Sequence, residues 1–232
     1  MDLFDYMREQ NKEKESPLAS RLRPTKLEEV VGQQHIIGKD KLLYRAIKAD
    51  KLQSVIFYGP PGTGKTTLAK VIAQTTSAEF MQINATSAGK KDMEAVIEKA
   101  KQLQGMYGKR TILFIDEINC VSETLAPAML QFLQCKTFGN HEIPKGWVIV
   151  AAGNPPEYNK SVRDFDVVTL DRVKKITVEP DYRVWKEYAF KENIHPAILS
   201  YLELRNNCFY QMETTIDGNQ FATPRGWEDL SR

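Results

Sequence analysis

Apolar residues occur along the chain in short continuous runs that alternate with segments of helical periodicity. Runs of this kind are typical of strands buried on both faces. They predict five strands, at residues 54–58, 79–84, 112–116, 147–153 and 174–178. Apolar residues elsewhere recur every three or four positions. They predict helices over 40–51, 66–75, 123–133, 181–192 and 196–205, and another between Met93 and Leu103.

Strands that alternate with helices at this spacing predict a parallel sheet covered by helices on both faces. The expected fold class is therefore α/β, a three-layer sandwich around a five-stranded parallel sheet. Open sheets of this type bind their ligands beyond the carboxyl ends of the strands. The loops that follow the strands are where we expect the chemistry.

A glycine-rich loop follows the first predicted strand and leads into the predicted helix at 66–75. It reads GPPGTGKT, the composition of a phosphate-binding loop. Its glycines let backbone N–H groups point inward, the helix adds its positive dipole end, and a lysine ammonium can reach the terminal phosphates. The residues expected to contact the nucleotide are Gly59, Pro60, Pro61, Gly62, Thr63, Gly64, Lys65, Thr66 and Thr67. The simpler alternative is a glycine-rich turn with an exposed lysine.

Two adjacent carboxylates end the third predicted strand, where the sequence reads ILFIDE and the acids are Asp116 and Glu117. At the carboxyl edge of the sheet Asp116, with the Thr66 hydroxyl, can hold magnesium, while Glu117 can polarise a water for attack on the terminal phosphate. The pair favours hydrolysis of a bound nucleotide over binding alone, with Mg²⁺ as the metal. A strand followed by an acidic helix cap would explain one acid but not both.

Three further polar residues lie where they could act on a phosphate. Asn154 closes the fourth strand and could position the attacking water, although asparagine also suits a turn before two prolines. Arg172 precedes the fifth strand, far from the glycine-rich loop in the chain, which fits an arginine donated to a neighbouring subunit. Arg225 opens a predicted helix near the C-terminus. For both arginines the simpler alternative is a solvated surface residue.

Composition narrows the function classes further. The chain has 232 residues, of which 42% are hydrophobic, enough for a large domain and a small one. Its 32 basic and 30 acidic residues nearly cancel, so a DNA contact needs a local patch. The best candidate for such a patch is Lys90, Lys91, Lys99 and Lys101, for which the simpler alternative is a solvated helix face.

The three cysteines lack disulfide or zinc-ligand spacing. No apolar stretch is long enough to span a bilayer. A cytoplasmic protein without membrane contact is therefore expected.

In their order and spacing, these motifs resemble the AAA+ ATPase superfamily. The resemblance implies that Asn154 is sensor 1, Arg172 an arginine finger and Arg225 sensor 2. It also implies that Val31 and Gly32 lie against the adenine of ATP. The nucleotide would then lie between the sheet domain and a helical lid, at a boundary between subunits of a homo-oligomer, such as a hexameric ring.

Two parts of the chain resemble different members of this superfamily. Residues 1–117 look like the replication-associated recombination protein A ATPases, which are related to clamp loaders. The shared segments are PLASRLRP at 17–24, VGQQH at 31–35 and NATSAG at 84–89. Residues 118–232 are instead similar to the MoxR group of chaperone-like ATPases. The shared segments there are EIN at 117–119, AAGNPPEYN at 151–159 and TPR at 223–225. A natural or engineered chimera joined near Asp116 and Glu117 is therefore expected.

The expected organisation is a polar arm at 1–16, a nucleotide-binding domain at 17–178 and a small, incomplete helical lid at 179–232. Because the chain stops just inside the helix that carries Arg225, we expect that arginine to be poorly placed and turnover to be weak. The leading hypothesis is an ATP-hydrolysing motor or switch that remodels DNA or a protein client. The alternative is a nucleotide-binding scaffold with little turnover. A small-molecule phosphotransferase is disfavoured, since neither an acceptor site nor an arginine-rich lid is found in the sequence.

Overall fold

The structure is a computed structural model that describes residues 24–158, 162, 165, 173–215 and 218–231. The predicted arm at 1–16 and the predicted arginine finger Arg172 lie outside these residues. The helices and strands in chain order are α1 (Gln34–Ile37), α2 (Leu42–Lys48), β1 (Val55–Tyr58), α3 (Lys65–Thr75), β2 (Glu79–Asn84), α4 (Lys90–Tyr107), β3 (Thr111–Asp116), α5 (Ala126–Cys135), β4 (Thr137–Phe138), β5 (His141–Glu142), β6 (Val148–Gly153), β7 (Lys174–Thr177), α6 (Tyr182–Lys191), α7 (Pro196–Leu204), β8 (Gln211–Thr215), β9 (Gly218–Ala222) and α8 (Pro224–Leu230).

Five parallel strands form the central sheet in the order β2-β3-β6-β1-β7. Each of the five lies within one residue of its predicted bounds, which confirms the α/β class. The strand order matters for function, because it places β6 between β3 and β1. The ends of those three strands carry the acidic pair, Asn154 and the glycine-rich loop, and they therefore meet at one edge of the sheet.

Helices cover both faces of the sheet, which confirms the three-layer arrangement. On one face Leu113 and Ile149 pack with residues of α4 and α5, among them Met93 and Phe132. On the other face the alternate strand residues, such as Phe57, pack with α2 and α3. The central strands are thus apolar on both sides because both sides are buried, as their continuous apolar runs predict.

The lid after β7 has a core of its own but is not purely helical. Trp185, Ile198 and Phe209 are buried together there, and α6 and α7 were predicted from the apolar pattern. The expected helices are present in α6, α7 and α8, and the lid also contains an antiparallel hairpin of Gln211–Thr215 and Gly218–Ala222. These two strands are short and largely polar, so they give no apolar run that would predict them.

A second, smaller hairpin also differs from expectation. None of the five predicted strands falls at 136–145, yet Thr137–Phe138 pairs with His141–Glu142 there. Phe138 is buried in the core beside α5 and stacks edge-on against Phe132. Among the described residues no helix combines the length and the apolarity needed to cross a membrane.

Candidate nucleotide-binding and hydrolysis site

The glycine-rich loop is held tightly against the sheet. A Cβ atom on Gly59 would lie 2.0 Å from the carbonyl oxygen of Val178, so only glycine fits there. Gly62 and Gly64 have φ angles of 79° and 88°, a backbone conformation that favours glycine. α3 begins at Lys65, directly after the loop. The loop and the helix N-terminus together form a concave array of backbone N–H groups that can accept an anion.

Lys65 lies inside this loop and is only 8% exposed. Its Nζ donates to the carbonyl oxygens of Gly59 and Pro60, both at 2.7 Å, and to Oδ1 of Asn154 at 2.9 Å. Burial is the main cause that lowers the pKa of Lys65 to about 8; the Asp116 charge opposes the shift and the Arg225 charge adds to it. The alternative of an exposed lysine in a simple turn is therefore wrong.

The acidic pair lies at the end of β3, at the carboxyl edge of the sheet. Burial, more than any other cause, raises the pKa of the Asp116 carboxyl. Oδ1 of Asp116 accepts from the backbone N–H of Glu117 at 3.1 Å. Glu117 itself has a φ of 53°, the left-handed conformation, and so turns the chain sharply away from the strand.

Asn84 connects the Glu117 side chain to the neighbouring strand, a contact that sequence reasoning missed. Its Nδ2 donates to Oε2 of Glu117 at 3.1 Å, while its Oδ1 accepts from Thr86. Asn84 is the polar residue that ends β2, and it pairs in register with Asp116. The bond fixes the direction of the carboxylate that was predicted to activate water.

A cavity of about 510 Å³ lies next to the loop, between the sheet domain and the lid. Of the residues predicted to contact nucleotide, those that line it are Val31, Gly32, Gly62, Thr63, Gly64, Thr67 and Arg225. Val178, Val184, Trp185 and Tyr188 add apolar and aromatic walls from β7 and the lid. The cavity thus has the mixed lining of a small-molecule site, apolar at one end and rich in backbone N–H groups at the other.

The other predicted residues that the structure describes do not line the cavity. Lys65, Asp116 and Asn154 surround the glycine-rich loop instead, near the carboxyl ends of β1, β3 and β6. The site therefore has two parts that share the loop. One is a roomy cavity toward the lid, and the other is a compact group of charged and polar side chains at the sheet edge.

Arg225 lies in the first turn of α8 and lines the cavity, which differs from the expectation of poor placement. The helix is held at its start by Thr223, whose Oγ1 accepts from the N–H of Gly226 at 3.1 Å. Further along it, Nε1 of Trp227 donates to the carbonyl of Phe209 at 3.1 Å. The charge of Arg225 also acts to lower the pKa values of Lys65 and Asp116, so the guanidinium lies near both side chains.

The donor set at the sheet edge fits magnesium. Thr66 follows Lys65 at the start of α3 and offers a hydroxyl, and Asp116 offers a carboxylate. Mg²⁺ prefers oxygen ligands, and in nucleotide sites it uses one or two protein oxygens together with substrate phosphates. Within the described part of the chain no group of three or more His, Cys, Asp or Glu side chains could hold a metal alone.

A parallel sheet with a glycine-rich phosphate loop after β1 and an acidic pair after β3 defines a P-loop α/β domain. The sequence model of the ATPase family associated with various cellular activities (AAA) matches residues 55–170, half of the chain. The chain belongs to this family. The match runs continuously across Asp116 and Glu117, so it gives no support for a junction there or for a MoxR segment.

Curated relatives share a large part of the sequence. The chain is 48% identical over 118 residues to replication-associated recombination protein A of Coxiella burnetii, and 45% identical over 118 residues to the protein of that name in Escherichia coli strain K12. Each alignment covers 51% of this chain but 26% of the relative. The chain therefore aligns with about a quarter of the length of these proteins.

Solved structures of the RuvB protein of Thermotoga maritima have the same fold. A mutant form superposes with a TM-score of 0.55 and 26% identity, over 72% of this chain and 52% of that one. The structure described as the RuvB Holliday junction branch migration motor has a TM-score of 0.57 at 22% identity and covers 90% of this chain and 64% of that one. The likeness extends beyond the sheet domain into the lid.

Proposed function

We propose that this protein binds ATP with Mg²⁺ and hydrolyses it to ADP and phosphate. The observation that carries the proposal is the meeting of Lys65, Asn154 and the Asp116–Glu117 pair around one phosphate-type loop. Adenine would lie in the cavity beside Val31 and Gly32, and the triphosphate would follow the loop toward the sheet edge. Backbone N–H groups and the helix dipole would receive its charge.

Each side chain of the group has a role that its position supports. Lys65 would exchange its carbonyl partners for the terminal phosphates. Thr66 and Asp116 would hold Mg²⁺, which when bound neutralises phosphate charge. Glu117 would orient and deprotonate the attacking water, Asn154 would position that water or the phosphate, and Arg225 would contact the phosphates from the lid. Arg172 as an arginine finger from a neighbouring subunit stays a prediction.

We infer that the macromolecule acted on is DNA. The curated relatives are named for replication-associated recombination, and the structural neighbour is described as a Holliday junction motor. On this chain Lys90 and Lys91 are exposed in the first turn of α4, where they could contact a phosphate backbone. A ring-shaped homo-oligomer stays a prediction, which the resemblance to the AAA+ ATPases implies.

Steady-state turnover, measured together with ATP affinity, tests this function. We expect magnesium-dependent phosphate release that single-stranded DNA stimulates, and a Glu117→Gln variant that binds ATP normally but releases phosphate at least about 100-fold more slowly. Binding without turnover in the unchanged protein would instead support the alternative of a nucleotide-binding scaffold. Turnover that DNA leaves unchanged would contradict the DNA proposal alone. A Lys90→Glu/Lys91→Glu variant should lose the stimulation and keep the basal rate.

A further inference from the structure

Asn119 makes two hydrogen bonds to the backbone of a single residue, Asn154. It lies in the short turn Ile118–Cys120, two residues after Glu117, and is only 4% exposed. Its Nδ2 donates to the carbonyl oxygen of Asn154 at 2.7 Å, and its Oδ1 accepts from the N–H of Asn154 at 3.2 Å. Both ends of the carboxamide are thus used on the backbone of one residue in another loop.

The Asn119–Asn154 contact lies just beyond the end of β6, where the strand no longer pairs with its neighbours in the sheet. The last paired residue of β6 is Gly153, whose carbonyl accepts from the N–H of Gly59. A Cβ atom on Gly153 would lie 3.2 Å from Oδ1 of Asn119, so a side chain there would press on the carboxamide. Among the described residues no strand pairs with the backbone of Asn154, and Asn119 supplies the hydrogen-bond partners that a neighbouring strand would otherwise supply.

The consequence reaches Lys65. The backbone that Asn119 holds carries the side chain whose Oδ1 accepts from Lys65 at 2.9 Å. The turn that contains Asn119 begins at Glu117. The backbone N–H of Glu117 donates to the Asp116 carboxylate. One buried carboxamide therefore ties the loop that bears the water-activating acid to the loop that aims Asn154 at the phosphate-binding lysine.

We propose that Asn119 is a positioning residue for hydrolysis, which holds the Asn154 loop in register with the Glu117 turn. This inference rests on the proposed ATPase function. Asn119 does not line the cavity among the described residues and makes no described contact with the glycine-rich loop. Its loss should therefore slow the chemical step and leave ATP affinity nearly unchanged.

Two variants separate the halves of the contact. Asn119→Asp keeps an acceptor for the Asn154 N–H but replaces the donor to its carbonyl with a repelling oxygen, whereas Asn119→Ala removes both bonds. We expect kcat to fall about 10- to 100-fold in each, with the Kd for ATP within about threefold of the unchanged protein. Leu43→Ala, in the core on the opposite side of the sheet from α5, is the control for general destabilisation and should keep its kcat. A parallel loss of ATP affinity in both Asn119 variants would overturn the proposal.

A double-mutant cycle tests whether Asn119 acts through Asn154. If it does, Asn119→Ala combined with Asn154→Ala should turn over no more slowly than Asn154→Ala alone. Independent, multiplicative losses would overturn the proposal. If Asn119→Ala fails to fold, the same cycle is run with Asn119→Asp.

Hydrogen exchange at the Asn154 N–H gives a reading that needs no ATPase activity. Asn119→Ala should speed exchange at this amide at least about tenfold, while Asn119→Asp keeps it protected. If the unchanged protein shows no turnover, the proposed function fails, but the hydrogen-exchange measurement still tests whether Asn119 holds the Asn154 loop. Equal protection of Asn154 in all three proteins would show that the contact does not hold the loop.

Discussion

Nζ of Lys65 lies 2.9 Å from Oδ1 of Asn154, although the two residues are 89 positions apart. The sheet order explains the contact, because β6 pairs directly with β1 and so brings the loop after it beside the glycine-rich loop. Lys65 is buried there with carbonyl and amide oxygens as its partners. These contacts hold its ammonium at the glycine-rich loop, where the proposed function expects a terminal phosphate.

The lowered pKa of Lys65 predicts a pH-dependent ATP affinity. Near pH 8 part of the free protein has a neutral Lys65, and bound phosphate would raise the pKa again by favouring the charged form. Binding should therefore take up a proton at pH 8 to 9, and affinity should weaken as the pH rises through about 8. Titration calorimetry in buffers of different ionisation enthalpy measures this uptake. Lys65→Arg, which stays charged, is the control and should show none.

Asn84→Asp should move the pH profile of turnover. The substitution places a second carboxylate about 3 Å from Glu117, and like charges at that distance raise the pKa of one of the pair. We expect the acidic limb of the kcat profile to move to higher pH by about one unit or more. Asn84→Ala removes the hydrogen bond without adding charge and should not show this upward shift. If the acidic limb of the kcat profile does not move in Asn84→Asp, the side chains at positions 84 and 117 are not in contact during turnover.

Alanine substitutions at two glycines are predicted to have opposite effects on the free energy of unfolding. Gly59→Ala forces a Cβ atom against the Val178 carbonyl, and overpacking of this kind costs about 1–3 kcal/mol of unfolding free energy. ATP binding should be lost with it. Gly105 lies inside α4 with open space around its Cα, so Gly105→Ala should gain about 0.5–1 kcal/mol. Chemical denaturation of both variants checks the pair, and a stable Gly59→Ala protein would contradict the close approach.

Arg225→Ala should weaken ATP binding about 10-fold, because a charge-assisted contact with a phosphate is lost from the lid. The matched control is Arg205→Ala, which removes an exposed arginine from the lid outside the cavity wall. Fluorescence titration with an ATP analogue measures both. Equal affinity in the two variants would show that Arg225 does not reach the nucleotide.

The strands and the glycine-rich loop could be predicted from sequence because their signals are local. Buried parallel strands such as Thr111–Asp116 are continuous apolar runs, and the loop has a fixed spacing of glycines before Lys65. The two hairpins were missed because their strands give no such local signal. Thr137–Phe138 is too short to show a period, and Gln211–Thr215 is mostly polar.

The contacts that orient the candidate site could not be predicted, because they join distant parts of the chain. Asn84 and Asn119 look like ordinary polar residues at the ends of elements, and only the strand order brings them to Glu117 and Asn154. The apolar end of the cavity likewise needs Val178 and the lid to meet residues near the start of the described chain. Arg172 lies outside the described residues, and its role stays a prediction.

Calorimetric titration of ATP with magnesium into the unchanged protein and into Lys65→Ala tests the central claim most directly. The account predicts saturable binding at a stoichiometry near one per chain in the unchanged protein, and affinity reduced at least about 100-fold in the variant, since the buried ammonium is the main charged partner of the terminal phosphates. Absence of binding heat in a folded, unchanged protein, or equal affinity in the two proteins, would contradict it.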